Sequence, residues 1–199
     1  MRSLIANARS FATQVSERAD EFRALQSGRR PEALFITCSD SRVVPSLITG
    51  ARPGELYELR TAGNVVPPYS ADRPTGGTAT IEYAVRVLGV RDIVVCGHSH
   101  CGAVRALVGG DDLSGVPAVR GRLERTAAAR PWDGPTGAGG ADLAGPVQRH
   151  AVAQLERLRT HPCVAERITD GRVGLHAWYY EVHTGAVRKL RSDGRFPVL

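Results

Sequence analysis

Apolar side chains stand at Leu4, Ile5, Ala8, Phe11, Val15, Phe22 and Leu25, a spacing that predicts an amphipathic helix over residues 3–25. Gly28 and the run Arg29–Arg30–Pro31 punctuate it. Beyond that point the pattern changes. Ala33–Thr37 and Asp92–Cys96 are short apolar runs bounded by turn residues, the signature of strands buried on both faces. Gly54–Arg60 reads as another strand. Thr75–Leu88 returns to helical spacing through Ala79, Ile81, Ala84, Val85 and Leu88, with Gly89 as its C-cap. Short helices follow over Cys101–Val108 and near 117–130. Val147–Thr160 carries Val152, Leu155 and Leu158 on one stripe. Arg172–Val182 alternates, His183–Thr184–Gly185 turns, and Ala186–Leu190 comes back as a hairpin-like end. Residues 109–115 and 131–146 are rich in Gly, Pro and Asp and read as loops. Strands alternating with helices predict an α/β fold with a doubly wound, mainly parallel sheet flanked by helices. The expected organisation is a single domain over 1–199, with a helical arm (1–30) on an α/β core (31–199).

Composition narrows the classes. The chain has 199 residues, 42% apolar and 23% charged, as in soluble globular domains. Four cysteines are too few for a disulfide scaffold, so metal and catalytic roles come first. No run resembles a signal-peptide core or approaches the roughly 18 apolar residues of a membrane span, so a cytoplasmic location is expected. The net charge is +6, and Lys189 is the one lysine among 26 basic residues. The arginines are dispersed, often beside Asp or Glu, without interleaved aromatics, which argues against a nucleic-acid partner. Thr136–Gly145 lacks the spacing and the preceding strand of a dinucleotide loop.

Two strand ends carry chemistry. Cys38–Ser39–Asp40–Ser41–Arg42 follows the first buried strand, and Gly97–His98–Ser99–His100–Cys101 follows the strand at 92–96. Sites in open α/β sheets form outside the carboxyl ends of strands, where strand order reverses. If these two strands flank that point, Cys38 meets His98 and Cys101. Two thiolates and an imidazole are a known catalytic zinc set with an open fourth position. The plainer alternative for Cys38 is a core residue, and Cys96 and Cys163 are expected to be packing residues. Asp40 reads equally as a helix N-cap or as a carboxylate paired with Arg42 beside the metal.

The runs CSDSRV (38–43), RTAGNVVPPY (60–69), GTATIEYAV (77–85) and IVVCGHSHCGAV (93–104) resemble β-class carbonic anhydrases. AQLERLRTHPCV (153–164) and GRVGLHAWYYEVHTGAV (171–187) resemble the end of bacterial, plant-like members. The resemblance implies one zinc per subunit on Cys38, His98 and Cys101, with Asp40 and Arg42 as the catalytic dyad. It implies a carbon dioxide pocket lined by Tyr57 and Tyr83 from a neighbouring subunit, and Gly102 with its N–H near the bound anion. The expected reaction is reversible hydration of carbon dioxide to bicarbonate and a proton. The expected assembly is a homodimer or a multiple of one, with no membrane partner. Arg29 stands where plant-like members carry Gln. Phe35 stands where members with a second, inhibitory bicarbonate site carry Trp, so that second site is not implied. His100 reads either as a proton relay or, more simply, as an exposed loop histidine without a role. Competing readings are a hydrolase of carbon disulfide or carbonyl sulfide on the same site, and a non-catalytic bicarbonate sensor.

Overall fold

Strands β1 (Ala33–Cys38), β2 (Leu56–Thr61), β3 (Asp92–His98), β4 (Gly174–Tyr180) and β5 (Val187–Lys189) form one sheet in the order β2-β1-β3-β4-β5. The first four run parallel, and β5 returns antiparallel to β4. The computed structural model describes residues 1–28, 30–109, 111–127 and 143–199. Arg29, most of the loop expected over 131–146 and the last residues of the helix expected near 117–130 lie outside the described residues. The helices are α1 (Arg2–Glu17), α2 (Ala19–Ala24), α3 (Pro45–Thr49), α4 (Gly76–Glu82), α5 (Gly102–Gly109), α6 (Pro117–Ala127), α7 (Ala144–Arg159) and α8 (Pro162–Thr169).

The period-two alternation of the central strands divides the core. Leu34, Ile36, Ile93 and Val95 face Ile81, Ala84 and Val85 together with Ala151, Leu155 and Leu158 of α7 and Val164 of α8. Phe35, Val94 and Cys96 form a smaller cluster with Trp178, whose ring meets Phe35 edge-on at 5.8 Å. Helix α7 seats closely because residue 97 is glycine: a Cβ there would lie 2.5 Å from Val147 Cγ1. Thr75 caps α4 by accepting from the Thr78 N–H, and Gly89 ends the helical run in left-handed backbone. Between these ends the turn widens to π geometry over Tyr83–Leu88.

Some boundaries differ from the sequence reading. Strand β2 starts at Leu56, because Gly54 (φ 87°) and the bonds between Arg52 and Glu55 make a turn first. The N-terminal helix is not continuous over 3–25. It breaks at Arg18 (φ −123°), whose guanidinium pairs with Glu21, and resumes as α2. Neither helix buries a residue, so no burial against the core enforces a straight rod, and across the break Phe11 meets Phe22 edge-on at 6.0 Å. No described helix is long and apolar enough to cross a membrane.

Candidate metal centre

Strand β1 connects toward β2 on one side and β3 toward β4 on the other, so strand order reverses between the adjacent strands β1 and β3. Cys38 ends β1, His98 ends β3, and Cys101 immediately precedes α5. The expectation that these strands flank the switch point is met. The three ligand atoms lie within 4.8 Å of one another, on buried residues.

The histidine geometry tests whether a metal fits. His98 Nδ1 is 2.9 Å from the Ser99 carbonyl oxygen, which can only accept, so Nδ1 carries the proton. Nε2 therefore presents a lone pair. It is buried and has no hydrogen-bond partner. An orphaned buried acceptor is costly unless a cation takes it, and two sulfurs stand beside it. The neighbouring Cys101 sulfur, and then the nearby His98 and the N–H groups of Asp40 and Gly63, hold the Cys38 thiol down against the opposing effect of burial. The same contact with Cys38, and then burial, pushes the Cys101 thiol up. The two sulfurs thus compete for one proton, an arrangement that a divalent cation relieves. The donor set suits zinc.

Asp40 and Arg42 form a two-pronged pair. Arg42 Nε donates to Asp40 Oδ1 at 2.9 Å and Nη2 donates to Oδ2 at 2.7 Å. The guanidinium holds the carboxyl well below the usual carboxylate range. Asp40 Oδ2 is 4.0 Å from His98 Nε2, so the carboxylate stands beside the cluster. The helix-cap alternative fails, because α3 begins only at Pro45 and its cap position is Val44. Asp40 instead turns the loop by accepting the Arg42 N–H. Arg42 Nη2 also donates to the His100 carbonyl at 3.1 Å, tying the two strand-end loops together. His100 has left-handed backbone (φ 56°), and its exposed ring meets that of His183 at 5.8 Å. Its carbonyl thus has a structural task.

The sequence reading missed Arg60. It passed as the last residue of a strand, yet its guanidinium donates to the carbonyls of Cys38 (3.1 Å), Asp40 (2.8 Å) and Val43 (2.7 Å). The available signal was a charged residue at the carboxyl end of a strand running beside a loaded loop. Tyr57 and Tyr83 meet each other, ring centroids 6.1 Å apart. Tyr57 pairs with Leu34, four residues short of Cys38, so its backbone lies well away from its own cluster. Gly102 opens α5, where first-turn N–H groups lack intrahelical partners. Cys96 and Cys163 are packing residues; burial pushes Cys96 up to about 12 and raises Cys163.

Residues 33–187 match the carbonic anhydrase family. A carbonic anhydrase of Pseudomonas aeruginosa is 47% identical over 180 residues, covering 89% of this chain and 81% of its own. The β-carbonic anhydrase CcaA superimposes with a TM-score of 0.92 at 37% identity, over 100% of this chain and 99% of that one. One of two β-carbonic anhydrases of Sordaria macrospora described as tetrameric is 26% identical, with a TM-score of 0.72 over 98% of this chain and 97% of its own. By family match, by relatives and by fold, the chain belongs to the β-carbonic anhydrases, enzymes of the lyase class.

Proposed function

We propose that the chain catalyses zinc-dependent, reversible hydration of carbon dioxide to bicarbonate and a proton. The observation that carries this reading is the buried, unpartnered Nε2 of His98 beside two cysteine sulfurs. Cys38, His98 and Cys101 would hold the zinc and leave a fourth position open. The chemistry that zinc supplies when bound is the acidification of water, from a pKa of 15.7 to about 7. Asp40, immobilised by Arg42, accepts a hydrogen bond from the nucleophile and aims its lone pair at the substrate carbon, a contribution of orientation. Arg42 keeps that carboxylate ionised and acceptor-only. Arg60 holds the backbone that carries both groups. The N–H of Gly102 would face the product anion. Tyr57 and Tyr83 would line the carbon dioxide pocket across a subunit interface.

That last role requires self-association. Helix α1 buries nothing and leaves Leu4, Ile5 and Phe11 about half exposed or more, which fits an arm that packs on a second copy. We also propose that residues 1–199 work as one domain, in the cytoplasm, where thiol ligands stay reduced. The decisive measurement is zinc content after dialysis, combined with stopped-flow hydration of carbon dioxide. One tightly held zinc per chain and rapid hydration are expected. A zinc-free chain that works at full rate would sink the proposal, as would turnover of carbon disulfide or carbonyl sulfide without hydration of carbon dioxide.

A further inference from the structure

Two successive residues after β2, Gly63 (φ 70°) and Asn64 (φ 47°), take left-handed backbone. Glycine does so freely, whereas asparagine does so at some cost. Such a pair persists where its surroundings over-determine it. Here buried polar side chains from the far side of the segment do so. His150 Nε2 donates to the Gly63 carbonyl at 2.8 Å. Gln154 Oε1 accepts the Val66 N–H at 2.9 Å, and His161 Nε2 donates to the Pro67 carbonyl at 2.9 Å. His150 and Gln154 lie on α7 within the stripe that otherwise carries Val147, Ala151, Leu155 and Leu158. Burial lowers the affinity of both histidines for a second proton, so they serve as neutral donors. No step of the proposed reaction uses them.

The other side of Gly63 shows what this lacing serves. The Gly63 N–H points at Cys38 Sγ, 3.4 Å away. A Cβ on Gly63 would come within 2.9 Å of Ala103 Cβ, at the start of α5. Residue 63 is therefore wedged between the cysteine that ends β1, the helix that follows Cys101, and His150. Its N–H and its carbonyl belong to adjacent peptide units that meet at the Gly63 Cα, so freeing the carbonyl would let the residue turn its N–H away from the sulfur.

We infer that His150 is a positioning residue for the metal centre: by holding the Gly63 carbonyl it fixes the residue whose own N–H, across the Cα in the preceding peptide unit, supports Cys38 as a zinc ligand. This rests on reading the cluster as a zinc site. Hydrogen bonds to ligating groups orient them and tune their bond to the metal.

The test compares His150→Leu, which removes the donor, with His150→Gln, which returns an N–H at nearly the same reach. Zinc affinity is measured by competition with a chromogenic chelator. Thiolate-to-metal charge-transfer bands are recorded on the cobalt(II)-loaded proteins. His150→Leu is expected to bind zinc about 10- to 100-fold more weakly and to shift the cobalt bands. His150→Gln should stay within a few-fold of wild type with unshifted bands. Gln154→Leu, on the same stripe but bonded to Val66, should lower the melting temperature while largely sparing zinc affinity. If His150→Leu does not fold, His150→Asn carries the comparison, because its shorter amide cannot reach Gly63; it should then lose the affinity that His150→Gln keeps. The inference is overturned if the donor-lacking variant binds zinc like wild type with unchanged bands. It is also overturned if zinc loss across all variants simply tracks melting temperature. Wild-type protein that held no zinc would overturn the underlying reading and this inference together, whereas zinc-loaded wild type with an indifferent His150→Leu overturns this one alone.

Discussion

Cys38 and Cys96 sit on neighbouring strands, one step apart in register, and both are buried. Their surroundings nevertheless differ: Cys38 shares its proton with the neighbouring Cys101 and accepts backbone N–H groups, whereas burial pushes the Cys96 thiol up to about 12. Cys96 lies inside β3, where its backbone is committed to the sheet and burial dominates. Cys38 is the last residue of β1. Beyond a strand end, N–H groups leave the ladder, and those of Asp40 and Gly63 turn to the sulfur while Cys101 and His98 arrive from the next strand. Burial alone therefore makes an inert thiol. The thiols able to hold a metal here are buried cysteines at the place where backbone donors and a second strand end converge.

This contrast can be broken by substitution. Cys38→Ser should abolish tight zinc binding and lower hydration activity by at least about 10³-fold; wild-type metal content in that variant would erase the distinction between the two cysteines. Asp40→Asn should keep zinc yet lose about 10²-fold in turnover, because the amide presents an N–H donor in place of an acceptor oxygen. Arg60→Lys keeps the charge but loses the fork that serves three carbonyls, and a loss of about tenfold in kcat is expected; an unchanged rate would reduce Arg60 to a strand-end residue. Cys96→Ala should leave zinc stoichiometry and rate alone and cost only about 1 kcal/mol of stability, read from denaturant unfolding.

The smallest effect concerns pH. Burial lowers the pKa of His150 and His161 below the ordinary 6.5. As pH falls, the unfolded chain therefore takes up protons before the folded one does. Stability is retained above about pH 6.5 and declines below it. His161→Gln keeps a donor for the Pro67 carbonyl and cannot titrate, so its unfolding midpoint should fall less between pH 7 and 5 than that of wild type. Equal slopes would show that burial at residue 161 does not shape the acid response.

Much of the fold was legible because the signals were local. The apolar runs at 33–37 and 92–96 located β1 and β3, and Gly89 and the turn at 183–185 marked real chain reversals. The Cys38–His98–Cys101 cluster was legible because a C-x-D-x-R run and an H-x-x-C run each follow such a strand. Arg60, His150 and Gln154 were not, since the value of each lies in a backbone group far along the chain. His150 meets a carbonyl 87 residues away. A polar residue on an apolar stripe was the one available hint. The +6 charge also reads differently in three dimensions: Arg42 and Arg60 hold the site loops, while several other arginines pair with acidic neighbours close in sequence.

By itself, then, the sequence determined the strand–helix alternation, the residue types capable of holding a metal and the family resemblance, because periodicity and short motifs are properties of neighbouring residues. Only the tertiary structure decided that β1 and β3 are adjacent at the point where strand order reverses. It decided that the His98 lone pair is buried and unpartnered, that Asp40 is gripped by Arg42 and is no helix cap, and that α7 laces the Gly63 loop from behind. These depend on parallel pairing between segments 60 residues apart, and on a helix face pressed against a loop, which no local pattern encodes.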